Sequence, residues 1–499
     1  MTQRTVTGRS WRKRLAPLLA AAMIPVAAAG CAKAPATGER IFTGGMSPQD
    51  ERRLGAEQHP KMVKQFGGAF ENQTIQAYVQ DIGQRLAKES ELPNLDWTFT
   101  VLDAPIVNAF ALPGGYVYVT RELVALAENE AELAGVLAHE IGHVTARHSA
   151  ERYGGTLLAN IAGVASAVFL GRQASQAVGT LGNVALSGYS RSQEFQADTL
   201  GVRYIRRAGY DPEGMASFLA KMQANSQLQA TLQGTPEAAD QFDIMQTHPR
   251  TSARVKEAIA AARNGPVAGE DGRAVYLAKL DGMRYSDSAD QGFVRRRDFL
   301  HPDLRFAFTV PEGFRILNRP DQVVALGPND AIILFTADRL DRSMAPHAYL
   351  TRVWAENARL SQVERLSVND MAAATGTTRL RTNGGTADAR LVAIRYDKQR
   401  MYRFTFVTPL GVTSQMNDAF RRTTHSFRRL SEAEAAALEP LRLTVHTVQE
   451  GETVARLAEK MPFGDFRERR FRVLNGLDAD DELQVGDKVK LIVANAADS

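Results

Sequence analysis

The sequence His139-Glu140-Ile141-Gly142-His143 puts two imidazoles four residues apart, with a carboxylate beside the first. On a helix that spacing places both rings on one face, about 40° apart. Two imidazoles so placed can share one zinc ion, and Glu140 can take a proton from water activated there. With nine histidines in the 499-residue chain, chance would produce this pattern in roughly one such chain per hundred. The residues before it, ELVALAENEAELAGVLA, are rich in Ala, Leu and Glu and contain no proline, so the motif is expected on a helix.

A catalytic zinc needs a third protein ligand and one open position. A third histidine six residues beyond the pair would fall at position 149, which is Ser149. His148 is five residues after His143, about 140° round an ideal helix, so it is not expected to be a ligand. A carboxylate from a later helix remains. SRSQEFQAD supplies Glu194 and, one turn on, Asp198. Glu194 could ligate the metal, and Asp198 could hold a ligand imidazole from behind. Alone, such a carboxylate pair usually marks a solvated helix face. Beside HEIGH it carries weight.

The elements around these motifs come next. NQTIQAYVQDIGQRLAKES has helical spacing at Ile75, Tyr78, Val79, Ile82 and Leu86. LDWTFTVLD alternates like a strand, and ALPGGYVYVT is a glycine-punctuated turn entering a second strand. The apolar stretch 155–190 reads as two packed helices or a lid. Asn160, Gly171, Arg172 and Gln173 argue against a membrane span. A helix over TSARVKEAIAAARN is expected to close the unit near residue 264.

NAFALPGGYVYVT, LAHEIGHVTARH, SRSQEFQAD and THPRTSAR occur in that order over residues 47–264, and in them the chain resembles the zinc proteases that include the CAAX prenyl proteases and HtpX, a gluzincin family. It is most similar to their periplasmic BepA/LoiP-like branch. The resemblance implies a mainly α zincin-like domain with a small β-sheet, one Zn2+ per chain on His139, His143 and Glu194, Glu140 as base, and Asp198 behind a ligand. It also implies that Asn108 and Ala109 lie on an edge strand that receives extended substrate, as exposed strand edges can by backbone pairing. His248 precedes Pro249 and is expected in an extended turn, with Pro249 opening the next helix. A histidine there could fill the open zinc position and make the enzyme latent, could assist catalysis directly, or could be a loop histidine. No helical-repeat array follows the protease, so recognition through such repeats does not transfer.

GPVAGEDG (265–272) reads as a linker, and residues 270–438 as an α+β domain of unassigned role. Strands are expected in RFAFTVP, QVVALGP, AIILFTADR, RLVAIRYD and MYRFTFVTP, and helices in AYLTRVWAENARL and around MNDAFRRTTHSFRRL. His301, His347 and His425 there lack ligand spacing. Residues 441–494 resemble a βααβ LysM module through Gly451-Glu452-Thr453, Leu474-Asn475-Gly476-Leu477 and Val485-Gly486-Asp487, which implies binding of N-acetylglucosamine-containing glycan such as peptidoglycan.

At the N-terminus, a basic stretch through Arg14 precedes the apolar run LAPLLAAAMIPVAAAG, which ends at Ala28-Ala29-Gly30-Cys31. Residues 1–30 read as a lipoprotein signal peptide, Cys31 as the lipidated residue, and 31–46 as a tether. Ala28-Ala29-Gly30-Cys31 resembles the lipobox of bacterial lipoproteins, which usually has Leu where this chain has Ala28, and by resemblance to enteric lipoproteins Ala32 after the cysteine implies the outer membrane rather than the inner. The net charge of +4 includes five basic residues and no acid in this segment, so the remainder is near neutral and offers no electrostatic case for nucleic acid. Cys31 is the only cysteine, so no intrachain disulfide can form. The expected function is a zinc endopeptidase of the bacterial periplasm acting on misfolded or unassembled envelope proteins. The alternative is a chaperone-like scaffold that binds unfolded chains while its zinc site stays latent.

Overall fold

Burial on all sides sets the helix that carries HEIGH apart. In the computed structural model, residues 30–155, 188–232, 248, 257, 260, 269–319, 321–382 and 385–494 are described. The export segment 1–29, most of the apolar stretch 155–190, Pro249 and nearly all of the helix expected over 251–264 lie outside them. Among the described residues, no helix is long and apolar enough to cross a membrane.

The chain forms two compact units divided near residue 281, with residues 472–481 belonging to the first. The first begins with a hairpin, β1 (Cys31–Lys33) and β2 (Arg40–Phe42). Residues 31–46 were expected as a tether, and this is a correction. The Ala36 amide donates to Thr145 O at 3.2 Å, and Arg147 Nη2 donates to Met46 O at 2.8 Å. Backbone pairing and a buried guanidinium hold the segment against the domain. Helices α1 (Pro48–Gln65) and α2 (Gln73–Lys88) follow. A three-stranded sheet comes next, from β3 (Thr98–Leu102), β4 (Ala109–Leu112) and β5 (Tyr116–Thr120). Its order is β3-β5-β4, with β3 parallel and β4 antiparallel to β5, so β4 is an edge strand.

The helical run after β5 is two helices, not one. Thr120 caps α3 (Arg121–Leu126), and Asn129 caps α4 (Glu130–Thr145) by accepting from the Glu132 amide at 2.8 Å. The Asn129 side chain competes with its own backbone for helical bonding, which favours a new start there. Behind that start, Lys221 Nζ meets Glu132 at 3.1 Å and Glu128 at 3.5 Å, and Arg273 meets Glu128 at 2.9 Å. Acids at a helix N-terminus also suit its dipole. Arg147 has a left-handed φ of 58°, so α4 stops and the chain turns before His148.

Helices α5 (Arg191–Arg207) and α6 (Glu213–Leu232) pack on α4. Ser190 and Gln193 form a reciprocal capping box that fixes where α5 begins. Two glycines allow the close approach. A Cβ on Gly142 would lie 3.1 Å from Ala197 O, and one on Gly201 would lie 2.4 Å from Met215 Cε and 3.2 Å from the His139 amide nitrogen. Without that proximity the α5 carboxylates could not reach the α4 histidines.

The second unit is rich in antiparallel strands. A seven-stranded sheet runs β6-β7-β8-β12-β11-β10-β9, using Arg315–Arg319, Gln322–Leu326, Ile332–Arg339, Arg400–Pro409, Gly385–Arg395, Met371–Thr382 and Ser361–Val368 in that order. Four short strands form a second sheet, and Phe306, Phe308, Phe335, Phe404 and Phe427 fill the core. The helix expected over AYLTRVWAENARL is a single turn at Pro346–Tyr349 followed by a π-turn at Leu350–Trp354. The C-terminal hairpin pairs Leu441–Thr447 with Lys488–Val493 around two short helices, and Arg284–Tyr285 adds a third strand to it.

His301 in this unit is buried against Phe299 and Phe306, with Nδ1 accepting from the Leu304 amide at 3.3 Å. Burial lowers its pKa to about 4. The unfolded chain therefore takes up this proton near pH 6.5 and the folded chain only near 4. Stability from neutral His301 is complete above pH 6.5 and is lost as pH falls towards 4, by about 3 kcal/mol. His301→Phe should flatten the pH dependence of thermal unfolding across that window. An unchanged slope would refute this.

Candidate metal centre

His139, Glu140 and His143 project from buried α4, and Glu194 and Asp198 from the facing side of α5. His139 Nε2 and His143 Nε2 lie 3.0 Å apart. Glu194 Oε1 is 3.4 Å from His143 Nε2, and Oε2 is 3.6 Å from His139 Nε2. His248 Nδ1 is 3.2 Å from His139 Nε2 and 3.0 Å from Glu194 Oε1. Four nitrogen or oxygen ligands about 2.0–2.1 Å from a tetrahedral zinc would stand roughly 3.3 Å apart. The four side chains offer ligand atoms that all lie within 4.8 Å of one another. The donor set, three imidazoles and one carboxylate, suits zinc. Glu140 Oε2 is buried with no hydrogen-bond partner among the described residues, a cost expected where a bound group belongs. The residues therefore fit the ion.

The far side of each imidazole is also engaged. Asp198 Oδ1 is 2.9 Å from His139 Nδ1. His143 Nδ1 meets His148 Nδ1 at 2.7 Å. His148 was placed about 140° round an ideal helix from His143, and that geometry does not apply. The left-handed residue Arg147 ends the helix and brings His148 back over His143. Tyr189 stacks on the His143 ring with centroids 3.7 Å apart, and Arg152 lies 3.8 Å over the Tyr189 ring. Spacing in the sequence gave no signal for Tyr189. Asn108 and Ala109 are at and beside the start of edge strand β4, both buried; the Asn108 amide donates to Thr120 Oγ1 at 3.0 Å.

Electrostatics separates the two central carboxylates. Burial pushes Glu140 up, with His248 and His139 opposing and Glu194 adding repulsion. Burial also pushes Glu194 up, but the charge of His248, polar contacts with His143 and His248, and the charge of His139 outweigh it and leave Glu194 well below the usual range. Burial pushes His143 well below its ordinary value. Neutral His143 and ionised Glu194 are the forms a metal would need. Glu140 Oε1 stands 3.4 Å from His248 Nε2.

A buried His-Glu-x-x-His helix, a glutamate from the next helix and a carboxylate behind one ligand define a metallopeptidase-type centre. Residues 73–262 match Peptidase family M48, and residues 446–491 match the LysM domain. The chain carries a family M48 metallopeptidase domain followed by a C-terminal LysM domain. It is 29% identical over 231 residues to the beta-barrel assembly-enhancing protease of Escherichia coli (strain K12), covering 44% of this chain and 46% of that one. It is 31% identical over 191 residues to the protein of that name from Yersinia pestis, covering 36% and 37%. To mitochondrial metalloendopeptidase OMA1 of Schizosaccharomyces pombe it is 28% identical over 216 residues, covering 42% and 59%. The matches to the two bacterial relatives span half or less of those proteins' lengths.

Proposed function

We propose that this chain is a zinc-dependent endopeptidase of the bacterial cell envelope that hydrolyses unfolded or misassembled envelope proteins. The observation that carries this is the convergence of His139 Nε2, His143 Nε2 and Glu194 on one point, with Glu140 alongside. His139, His143 and Glu194 would hold the zinc. When bound, it would polarise the scissile carbonyl and acidify water. Glu140 takes the proton from the attacking water and returns it to the leaving amine. Its upward-shifted carboxyl suits a group that must both accept and release a proton. Asp198 keeps His139 oriented. Extended substrate pairs with edge strand β4 near Asn108 and Ala109; both residues are buried here, backbone included, so the edge must be uncovered first.

His248 is the latency device in this reading. Its Nδ1 stands where a fourth ligand would, and it must withdraw before water or substrate can enter. The 3.4 Å approach of Nε2 to Glu140 favours a second role, as a proton partner of the base. Cys31 carries the lipid and holds the protein at the outer membrane, facing the periplasm. The C-terminal module binds peptidoglycan. An envelope setting accords with the relatives called beta-barrel assembly-enhancing protease.

Purified protein should contain one zinc per chain by metal analysis. His139→Ala and Glu194→Ala should lose it, whereas Glu140→Gln should keep it and lose at least a hundredfold in casein cleavage. Full turnover in Glu140→Gln would sink the mechanism. His248→Ala should raise basal proteolysis. A fall with zinc retained would assign His248 to the proton relay. Cys31→Ser should move the protein from membranes to the soluble periplasmic fraction, and unchanged fractionation would place the anchor elsewhere. Binding of the full chain to peptidoglycan sacculi should be competed away by N-acetylglucosamine oligomers, and binding indifferent to them would remove the glycan role.

A further inference from the structure

His148 lies outside the set of candidate ligands, yet it is buried and makes a short contact to one of them. Its neighbours form a continuous line. His143 Nδ1 meets His148 Nδ1 at 2.7 Å, and His148 Nε2 meets Gln196 Oε1 at 2.7 Å. Gln196 Nε2 then donates to Glu39 Oε2 at 3.0 Å. The structure assigns to His148 and Gln196 the role of fixing the tautomer and orientation of His143, so that its Nε2 lone pair faces the metal position.

The direction of the chain follows from its two ends. Ionised Glu39 can only accept, so the Gln196 amide nitrogen must point to it. That leaves Gln196 Oε1 as the acceptor for His148, which must carry its proton on Nε2. His148 Nδ1 is then a lone pair and accepts from His143 Nδ1–H. The remaining His143 nitrogen, Nε2, is bare. The other end makes the same demand, because a metal ligand must present a lone pair. No link has to be reversed. His139 reaches the same state more directly, through the Asp198 carboxylate. The two ligand imidazoles therefore have different supports, one a contacting carboxylate and the other a relay of neutral groups ending at an exposed carboxylate on the β1–β2 hairpin.

Two local features make the relay possible. The left-handed backbone at Arg147 turns His148 back over α4, and α5 carries Gln196 and Glu194 on one stretch of helix. His148 Nδ1 is held away from the cluster by its contact to His143 Nδ1, so it supports a ligand without competing for the ion.

This inference rests on the metal-centre reading, and its test avoids proteolysis as a readout. Zinc affinity of the full chain is measured by chelator competition, and the protonation site of His143 by 15N NMR of histidine-labelled protein with and without zinc. His148→Leu should weaken zinc binding by about tenfold to a hundredfold, and the metal-free His143 should become a mixture of tautomers. His148→Gln restores an acceptor and should recover most of the loss. Should His148→Leu fail to fold, Gln196→Leu carries the test, with an expected loss of about fivefold, the value of one buried hydrogen bond. Wild-type affinity in His148→Leu, or equal affinity in the Leu and Gln variants, would overturn the inference. So would a metal-free wild-type His143 protonated on Nε2. A wild-type chain that binds no zinc would instead overturn the metal-centre reading, and the metal-free spectrum would still judge the relay.

Discussion

The centre depends on burying two neighbouring imidazoles whose four ring nitrogens all need partners. A buried polar atom left without one costs about 1–3 kcal/mol. Both Nε2 atoms face one point, so both Nδ1 atoms must be satisfied from behind. Much of the first unit serves that requirement. α5 lies against α4 closely enough for Asp198 to reach His139, and Gly142 and Gly201 are where the two backbones would otherwise collide. α4 ends at Thr145 so that His148 can return over His143.

The same burial sorts the carboxylates. Glu140 and Glu194 are both enclosed and both feel the histidines, but Glu194 lies in close polar contact with His143 and His248, whereas Glu140 has one oxygen without a partner among the described residues. One carboxylate is thus held ionised, ready to ligate, and the other is raised towards holding a proton. A ligand and a general base need opposite tuning, and the polar contacts each carboxylate makes supply it without different residue types.

Much of this was legible in the sequence because it is written at short range. The spacing of His139 and His143 and the Glu194–Asp198 pair survive any detail of helix boundaries, and the structure brings all four together. His148 was misjudged in geometry because an ideal helix was extended through Arg147, and a left-handed non-glycine residue has no spacing signature. The N-terminal hairpin was hidden by its small polar composition, which matches that of a flexible tether. Strands β9 and β10 were missed for a similar reason. MAAATGTTRLRT is Ala- and Thr-rich and lacks bulky alternation, and its pairing is fixed by neighbours and by the left-handed turn at Asn369–Asp370.

Two segments distant in sequence close on the HEIGH helix, and they are not equivalent. α5 brings Glu194 and Asp198 on a capped helix held by close glycine contacts, so its geometry is set by packing. His248 engages the centre through polar contacts to His139, Glu194 and Glu140. Those contacts can be exchanged for a metal, water or substrate without disturbing the helix packing. The packed helices define where an ion would sit, and in the proposed latent state His248 would decide whether the last position is open. A latent enzyme requires that division, because a site closed by its own core could open only by unfolding.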